Sequence, residues 1–320
     1  MLHNNPKLFT DTVLATAEYF SISPAYIEKD YWITNTLRRL SLNSNAEKVV
    51  FKGGTSLSKA YNMVDRFSED IDIAVIDAKL FNGNQLKTLI KKVAKDMTTD
   101  LKEIQVDGIT SKGSRFYKAV YIYPSILKQK TKTAISSGNL LVEVNSFTNP
   151  YPYESKKITS FIELFLNKTG NDDLITEYNL LPFEVNVLDK RRTMIEKLVA
   201  LIRFSFSENP VVVIASKIRH FYDLYFLAND TECAEYLSSP DLKKDFDELY
   251  AHDQEMFAEP ANWVGKTIEQ TPLITDFPAL WAKLKDTYNT ELSQLAFSQI
   301  PEEKLVSDKF TETINQIKTI

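Results

Sequence analysis

The sequence predicts an α+β domain over residues 1–188 followed by a helical domain over residues 189–320, and three observations carry that reading. Short apolar runs with period two, among them "DIDIAVI", "YKAVYIYP", "LLVEVNSF" and "FEVNVL", fall within the first 188 residues. From Lys190 onward apolar residues recur three and four apart instead, the spacing of helices. The length of 320 residues exceeds one typical domain.

The elements follow in order. From Asp11 to Leu40 the spacing is helical, and Ser23-Pro24 divides it into two helices. "KVVFKGG" reads as a short buried strand ending in a tight turn. "TSLSKAYNMV" reads as a helix with Thr55 as its N-cap and Leu57, Tyr61 and Val64 on its apolar side. "DIDIAVI" alternates strictly and is a strand, and a helix follows over Gln85–Leu101. After the remaining strands, Arg191–Phe206 and Val211–Ala228 are read as helices, with more towards the C-terminus. Tyr151, Pro152 and Tyr153 read as a rigid turn.

Composition narrows the function. At 43% hydrophobic and 25% charged residues, the chain has the makings of a sizeable core. No segment is long and apolar enough to span a bilayer, and "MLHNNPKLFT" lacks the apolar centre of a signal peptide, so no membrane partner and a cytoplasmic location are expected. The single cysteine, Cys233, excludes internal disulfides and a Cys-rich zinc site. His3, His220 and His252 have no metal-ligand spacing, and no Ser-His-Asp or Cys-His constellation is visible. The net charge of −5 argues against a protein coated for nucleic acid. Yet Lys112, Arg115, Lys118, Lys128, Lys130 and Lys132 lie in one stretch without an acidic residue, interleaved with Phe116, Tyr117, Tyr121 and Tyr123. That stretch is either an amphipathic strand followed by a loop or a surface for phosphates and stacked bases.

The least ordinary segment is "FKGGTSLSKAYNMVDRFSEDIDIAVI", Phe51 to Ile76. In a strand Asp70 and Asp72 share one face, while Ile71, Ile73 and Val75 pack behind them. Two carboxylates so close repel each other unless a cation lies between them, and a hard divalent ion such as Mg2+ prefers oxygen ligands and keeps phosphate oxygens in its other positions. Gly53-Gly54 lets the backbone approach a phosphate where a helix begins. A P-loop is excluded: Gly53 is followed by Ser58, Lys59 and Ala60, without the second glycine and the final hydroxyl.

Gly-Gly at a helix start followed by Asp-x-Asp on the next strand resembles the nucleotidyltransferase superfamily. More narrowly, the chain resembles the AbiEii/AbiGii toxin family of nucleotidyltransferases in three ordered stretches. These are "IEKDYWITNTL" (Ile27–Leu37), "FKGGTSLSKAY" with "DRFSEDIDIAV", and "EKLVALIR" with "KIRHFYDLYFL", so the likeness spans roughly Ile27 to Leu227. The chain departs from relatives that carry Arg-Asp where it has "HFYD". The resemblance implies a nucleotidyltransferase-like mixed sheet with flanking helices. It also implies transfer of a nucleoside monophosphate from an NTP, in a toxin of a bacterial toxin–antitoxin or abortive-infection system.

The resemblance further implies a set of site residues. Asp70 and Asp72 hold Mg2+ or Mn2+, and Gly53, Gly54, Thr55, Ser56 and Ser68 surround the phosphates. Lys52 reaches a phosphate or is a strand-end lysine in solvent. Glu143 is the candidate third carboxylate, as base or further metal ligand, although an exposed sheet face explains it as well. Lys197 and Asp223 line the nucleotide site or form an ordinary ion pair between two helices. The implied partners are an NTP, an RNA acceptor (tRNA especially) and a cognate antitoxin. Two other readings stand beside this one: modification of a small molecule such as an antibiotic, and a non-catalytic module binding nucleotide or protein.

Overall fold

The computed structural model describes residues 1–68, 70–127 and 138–319. The chain forms two units, residues 1–62 with 67–188 and residues 63–66 with 189–320. The segment Met63–Arg66 thus belongs to the second unit, although it precedes most of the first in sequence.

In the first unit, α1 (Pro6–Phe20) opens with the Asn5 side chain accepting from the Leu8 N–H. It stops at Ser21, whose backbone is left-handed (φ 55°), and Pro24 begins α2 (Pro24–Ser41). The break falls at Ser23-Pro24, as the sequence indicates. The charged run Glu28-Lys29-Asp30 on α2 is buried, which is tolerable only because partners compensate it. Asp30 accepts from Lys59 Nζ (2.6 Å) and from the Phe161 N–H (2.9 Å). Glu28 accepts from Ser125 Oγ (2.8 Å) and the Ile126 N–H (2.7 Å). The motif that looked like a helix signature therefore ties α2 to three distant points of the chain.

The sheet is built from β1 (Val49–Lys52), β2 (Asp70–Val75), β3 (Lys102–Ile104), β4 (Ser111–Lys112), β5 (Phe116–Ile122), β6 (Asn139–Asn145), β7 (Tyr153–Ile158) and β8 (Phe183–Leu188). Its order is β3-β5-β6-β2-β1-β8-β7, with β4 pairing β5. It is mixed: β2 is parallel to β6 and antiparallel to β1, and β1 is parallel to β8. Between β1 and β2 the chain makes α3 (Gly53–Lys59), and further helices are α4 (Gly83–Met97), α5 (Phe161–Lys168) and α6 (Asp172–Glu177). Leu86, Leu89, Ile90, Val93, Ala94 and Met97 give α4 one continuous apolar stripe, all of it buried, and α4 packs on β5 and β6.

Several sequence expectations are corrected. Thr55 is not an N-cap: α3 begins at Gly53, with Lys52 in the cap position, and Thr55 lies inside its first turn. Tyr61 and Val64 lie beyond the helix, which ends at Lys59 ahead of Asn62 in a left-handed conformation (φ 51°). The continuous helix expected over Val211–Ala228 is two, α8 (Pro210–Ala215) and α9 (Arg219–Asn229). Ser216 Oγ bonds back to the Val213 carbonyl (2.7 Å) at the end of α8, and a turn separates the two helices. Tyr153 is not turn but the first residue of β7.

The second unit is helical: α7 (Lys190–Ser205), α8, α9, α10 (Thr231–Leu237), α11 (Pro240–Met256), α12 (Pro272–Thr275), α13 (Phe277–Leu295) and α14 (Glu303–Thr319). The final helices, whose role the sequence left open, wall in α9. Phe221 meets Phe310 and Trp281 at ring-centroid distances of 4.7 and 5.2 Å, and Phe277 meets Phe310 at 4.7 Å.

Candidate active site

Sheet register turns isolated sequence candidates into one row. Lys52 on β1 is directly opposite Asp72 on β2, Asp72 is opposite Glu143 on β6, and Glu143 is opposite Lys118 on β5. Residues in register share a face and stand about 5 Å apart, so the row alternates as cation, two carboxylates, cation. Asp70, two residues from Asp72, lies on the same face. Behind them Ile71, Ile73 and Val75 are fully buried, as are Leu140, Val142 and Val144 on β6. The apolar residues fix the strands and the charged ones are presented on the other side.

The turn that opens α3 closes against this row. Gly53 has φ +82°, and a Cβ built on it would run into the Asp72 carboxylate. Only glycine allows the backbone to pass so close to Asp72. The Thr55 hydroxyl donates to the Asp70 carbonyl and Ser56 Oγ donates to the Gly53 carbonyl (2.8 Å). Both residues are buried, at 2% and 0% exposure. Their hydroxyls brace the turn. Ser68 is buried two residues ahead of Asp70.

Burial first, then the charges of Asp70 and Glu143, push Asp72 up to about 7, against the opposing pull of Lys52 and Lys118. Glu143 accepts from Asn145 Nδ2 (2.9 Å) and pairs with Lys118 Nζ (3.2 Å). Among the described residues no group of three or more His, Cys, Asp or Glu side chains is arranged to hold a metal ion. The donor set that fits a hard cation is the pair Asp70 and Asp72: two carboxylates that repel each other, beside a turn too tight for a side chain. Glu143, engaged by Lys118 and Asn145, stands next to that pair.

Replacing Gly53 with Ala is expected to cost about 1–2 kcal/mol from the left-handed backbone alone, with the clash against Asp72 in addition. The denaturant midpoint measures the first effect, and divalent-cation and NTP titrations measure the second. Unchanged values in both would contradict the close packing of turn and carboxylate.

Lys197 and Asp223 lie in the helical unit, where they contact each other. Lys197 Nζ is 2.8 Å from Asp223 Oδ2. Arg66, from the "DRFSED" stretch, takes both oxygens of the same carboxylate, with Nε at 2.6 Å and Nη2 at 2.5 Å. Asp223 is fully buried, and Arg66 and Lys197 nearly so. Burial alone would raise the Asp223 carboxyl, but Arg66 and Lys197 outweigh it and hold it well below the usual carboxylate range. Burial, together with Lys197, keeps His220 well below the usual histidine value.

Sequence reading assigned no role to Arg66 or Lys118. Arg66 was visible within a quoted motif, but its partner lies 157 residues away. Lys118 falls in the basic-aromatic stretch, and of its two readings the structure bears out the amphipathic strand, β5. Tyr117, Tyr121 and Tyr123 are buried, Lys112 pairs with Glu103, and Arg115 donates to the Ser146 carbonyl (3.1 Å). These tyrosines fill the core and offer no stacking surface, while Phe116 is half-buried. Lys128, Lys130 and Lys132 lie outside the described residues.

The family model for the nucleotidyl transferase AbiEii toxin, type IV toxin–antitoxin system, matches residues 35–308. The chain belongs to this family. It is accordingly a nucleotidyltransferase toxin, and the AbiEii match extends well past Leu227, through most of the C-terminal helices. Among curated proteins none matches the chain significantly. Among solved structures, MenT4, a nucleotidyltransferase toxin from Mycobacterium tuberculosis, aligns over 95% of this chain and 98% of its own. The identity is 14% and the TM-score 0.43, too distant to transfer residue roles. The AbiEii chain has no helix among its described residues that is long and apolar enough to cross a membrane.

Proposed function

We propose that this AbiEii-family enzyme transfers a nucleoside monophosphate from a Mg2+- or Mn2+-bound NTP to an RNA acceptor of the tRNA class, with release of pyrophosphate. The observation that supports it most directly is the Asp70–Asp72 pair, crowded enough that Asp72 is raised to about 7, set against a Gly53 turn with no room for a side chain. Asp70 and Asp72 hold the cation. A divalent ion there supplies charge neutralisation on the triphosphate during in-line attack at the α-phosphorus. The Gly53-Gly54 backbone, Lys52 and the Ser68 region approach the phosphates. Glu143 takes the proton of the attacking acceptor hydroxyl as the bond from the α-phosphorus to pyrophosphate breaks. The family likeness assigns Lys197 and Asp223 to the nucleotide as well; within the helical unit Lys197 pairs with Asp223, which Arg66 holds.

The acceptor class rests on the family likeness, since the β5 tyrosines are in the core. In the cytoplasm, the expected compartment, a cognate antitoxin encoded with the toxin would counter its activity. The test is transfer of label from each of the four α-32P-NTPs, with Mg2+, onto total bacterial RNA and onto the protein itself, beside an Asp70→Ala/Asp72→Ala variant. Label on RNA that the variant loses supports the proposal. Label only on protein or on an added small molecule would move the acceptor to that class. No label, together with no cation-dependent NTP binding, would leave a binding module.

A further inference from the structure

Helix α4 has a second face. Opposite its buried stripe it exposes Lys87, Lys91, Lys92 and Lys95, and none of the four is in a salt bridge with a described residue. Lys87, Lys91 and Lys95 are four residues apart, hence stacked about 6 Å from one another along the helix. Like charges at that spacing oppose helix formation by a few tenths of a kcal/mol per pair, and the acidic groups that face the ridge are Asp96 and, through Lys95, Glu103. Two adjoining hollows of about 440 and 430 Å3 run along this face and share Thr88 and Lys92; the second is lined by the four lysines and by Asp96, which accepts from Asn43 Nδ2 (3.0 Å). The first adds Lys48 and the amides of Asn45, Asn84 and Gln85. This is a local reversal of sign on a protein whose net charge is −5.

We propose that this face of α4, together with Lys48, binds the phosphodiester backbone of a nucleic acid. Lysines and amides suit phosphate oxygens, whereas protein interfaces are depleted in lysine. The ridge is on the outer side of a helix that covers the face of β6 carrying Val142, while Glu143 lies on the opposite face. It is therefore an anchoring surface remote from the carboxylate row. The inference goes beyond the transfer reading and does not require it: a strand held here is held whether or not it is modified.

The test is fluorescence anisotropy of a labelled RNA of about 20 nucleotides, and of DNA of the same sequence, in 50–200 mM salt. Four phosphate contacts predict about 50-fold weakening of single-strand binding across that range. The variant Lys87→Gln/Lys91→Gln/Lys92→Gln/Lys95→Gln should bind at least tenfold more weakly at the lower salt and show a flatter salt dependence. A control of equal charge change, Lys243→Gln/Lys244→Gln/Lys283→Gln/Lys285→Gln, should bind as the unmodified chain does. The Asp70→Ala/Asp72→Ala variant should also bind normally while losing transfer, which separates failure of this proposal from failure of the catalytic one. A ridge variant that binds normally, or a control that loses as much, overturns the proposal. So does displacement of the RNA by polyglutamate at equal charge concentration, which would point to an acidic protein. Preference for RNA over DNA identifies the source of the backbone; equal binding leaves the shared phosphodiester as the ligand.

Discussion

Asp72→Asn should lower nucleotide transfer by about 1,000-fold, equivalent to about 4 kcal/mol of transition-state stabilisation, while making the cation-free protein more stable. The two effects have one cause. In the folded chain Asp72, half-buried beside Asp70 and Glu143, holds its proton up to about pH 7. In the unfolded chain an aspartate releases it near pH 4. Below about pH 4 both states are protonated and Asp72 costs nothing. Between pH 4 and 7 the unfolded state alone is free to ionise, so stability is progressively lost as pH rises, and the cost is complete above 7. Asparagine carries no such cost. The variant should melt about 2–4 °C higher than the unmodified chain at pH 8 without divalent cation, and the difference should vanish towards pH 4. Adding Mg2+ should raise the melting temperature of the unmodified chain and leave the variant where it was. A variant less stable than its parent at pH 8 would mean that Asp72 is not crowded by its neighbours. Full activity in Asp72→Asn would remove it from the site.

Asp223→Ala should destabilise the protein by about 3–5 kcal/mol, the cost of leaving buried charge without its counter-charge. Here two cations, Arg66 and Lys197, depend on one carboxylate that solvent does not reach. The pH dependence runs opposite to that of Asp72. Because Arg66 and Lys197 depress the Asp223 carboxyl, its contribution is present above the ordinary aspartate range and fades as pH falls through and below it. Arg66→Met/Lys197→Met/Asp223→Leu removes the charges together and should recover much of the lost stability. Denaturant midpoints for the single and triple variants measure this. If the single variant does not fold, the folded triple variant still reports on the charge. Equal loss in both would assign the effect to packing. If transfer stays abolished in a triple variant of restored stability, the triad has a role beyond folding.

The local chemistry was legible in the residues alone. Alternation fixed which side of β2 carries Asp70 and Asp72, since a strand has no other way to bury Ile71, Ile73 and Val75. The glycine pair located the turn, and ordered motifs announced the AbiEii family that the match over residues 35–308 establishes. Helix limits were less legible where Asn62 and Ser216 use local backbone geometry to stop a pattern that spacing alone would continue. The roles of the Thr55 and Ser56 hydroxyls were hidden as well, because the carbonyls they serve are exposed or covered only by the folded turn. Every partnership across the sheet came from the folding of distant segments onto one another. The Lys52–Asp72–Glu143–Lys118 row depends on the register of four strands, and a shift of one residue would have put those charges in the core. The same folding also decided that Arg66 meets Asp223 across 157 residues, and that the tyrosines of β5 fill the core while the lysines of α4 face outward. Periodicity encodes which face a side chain takes, but only packing selects what that face meets.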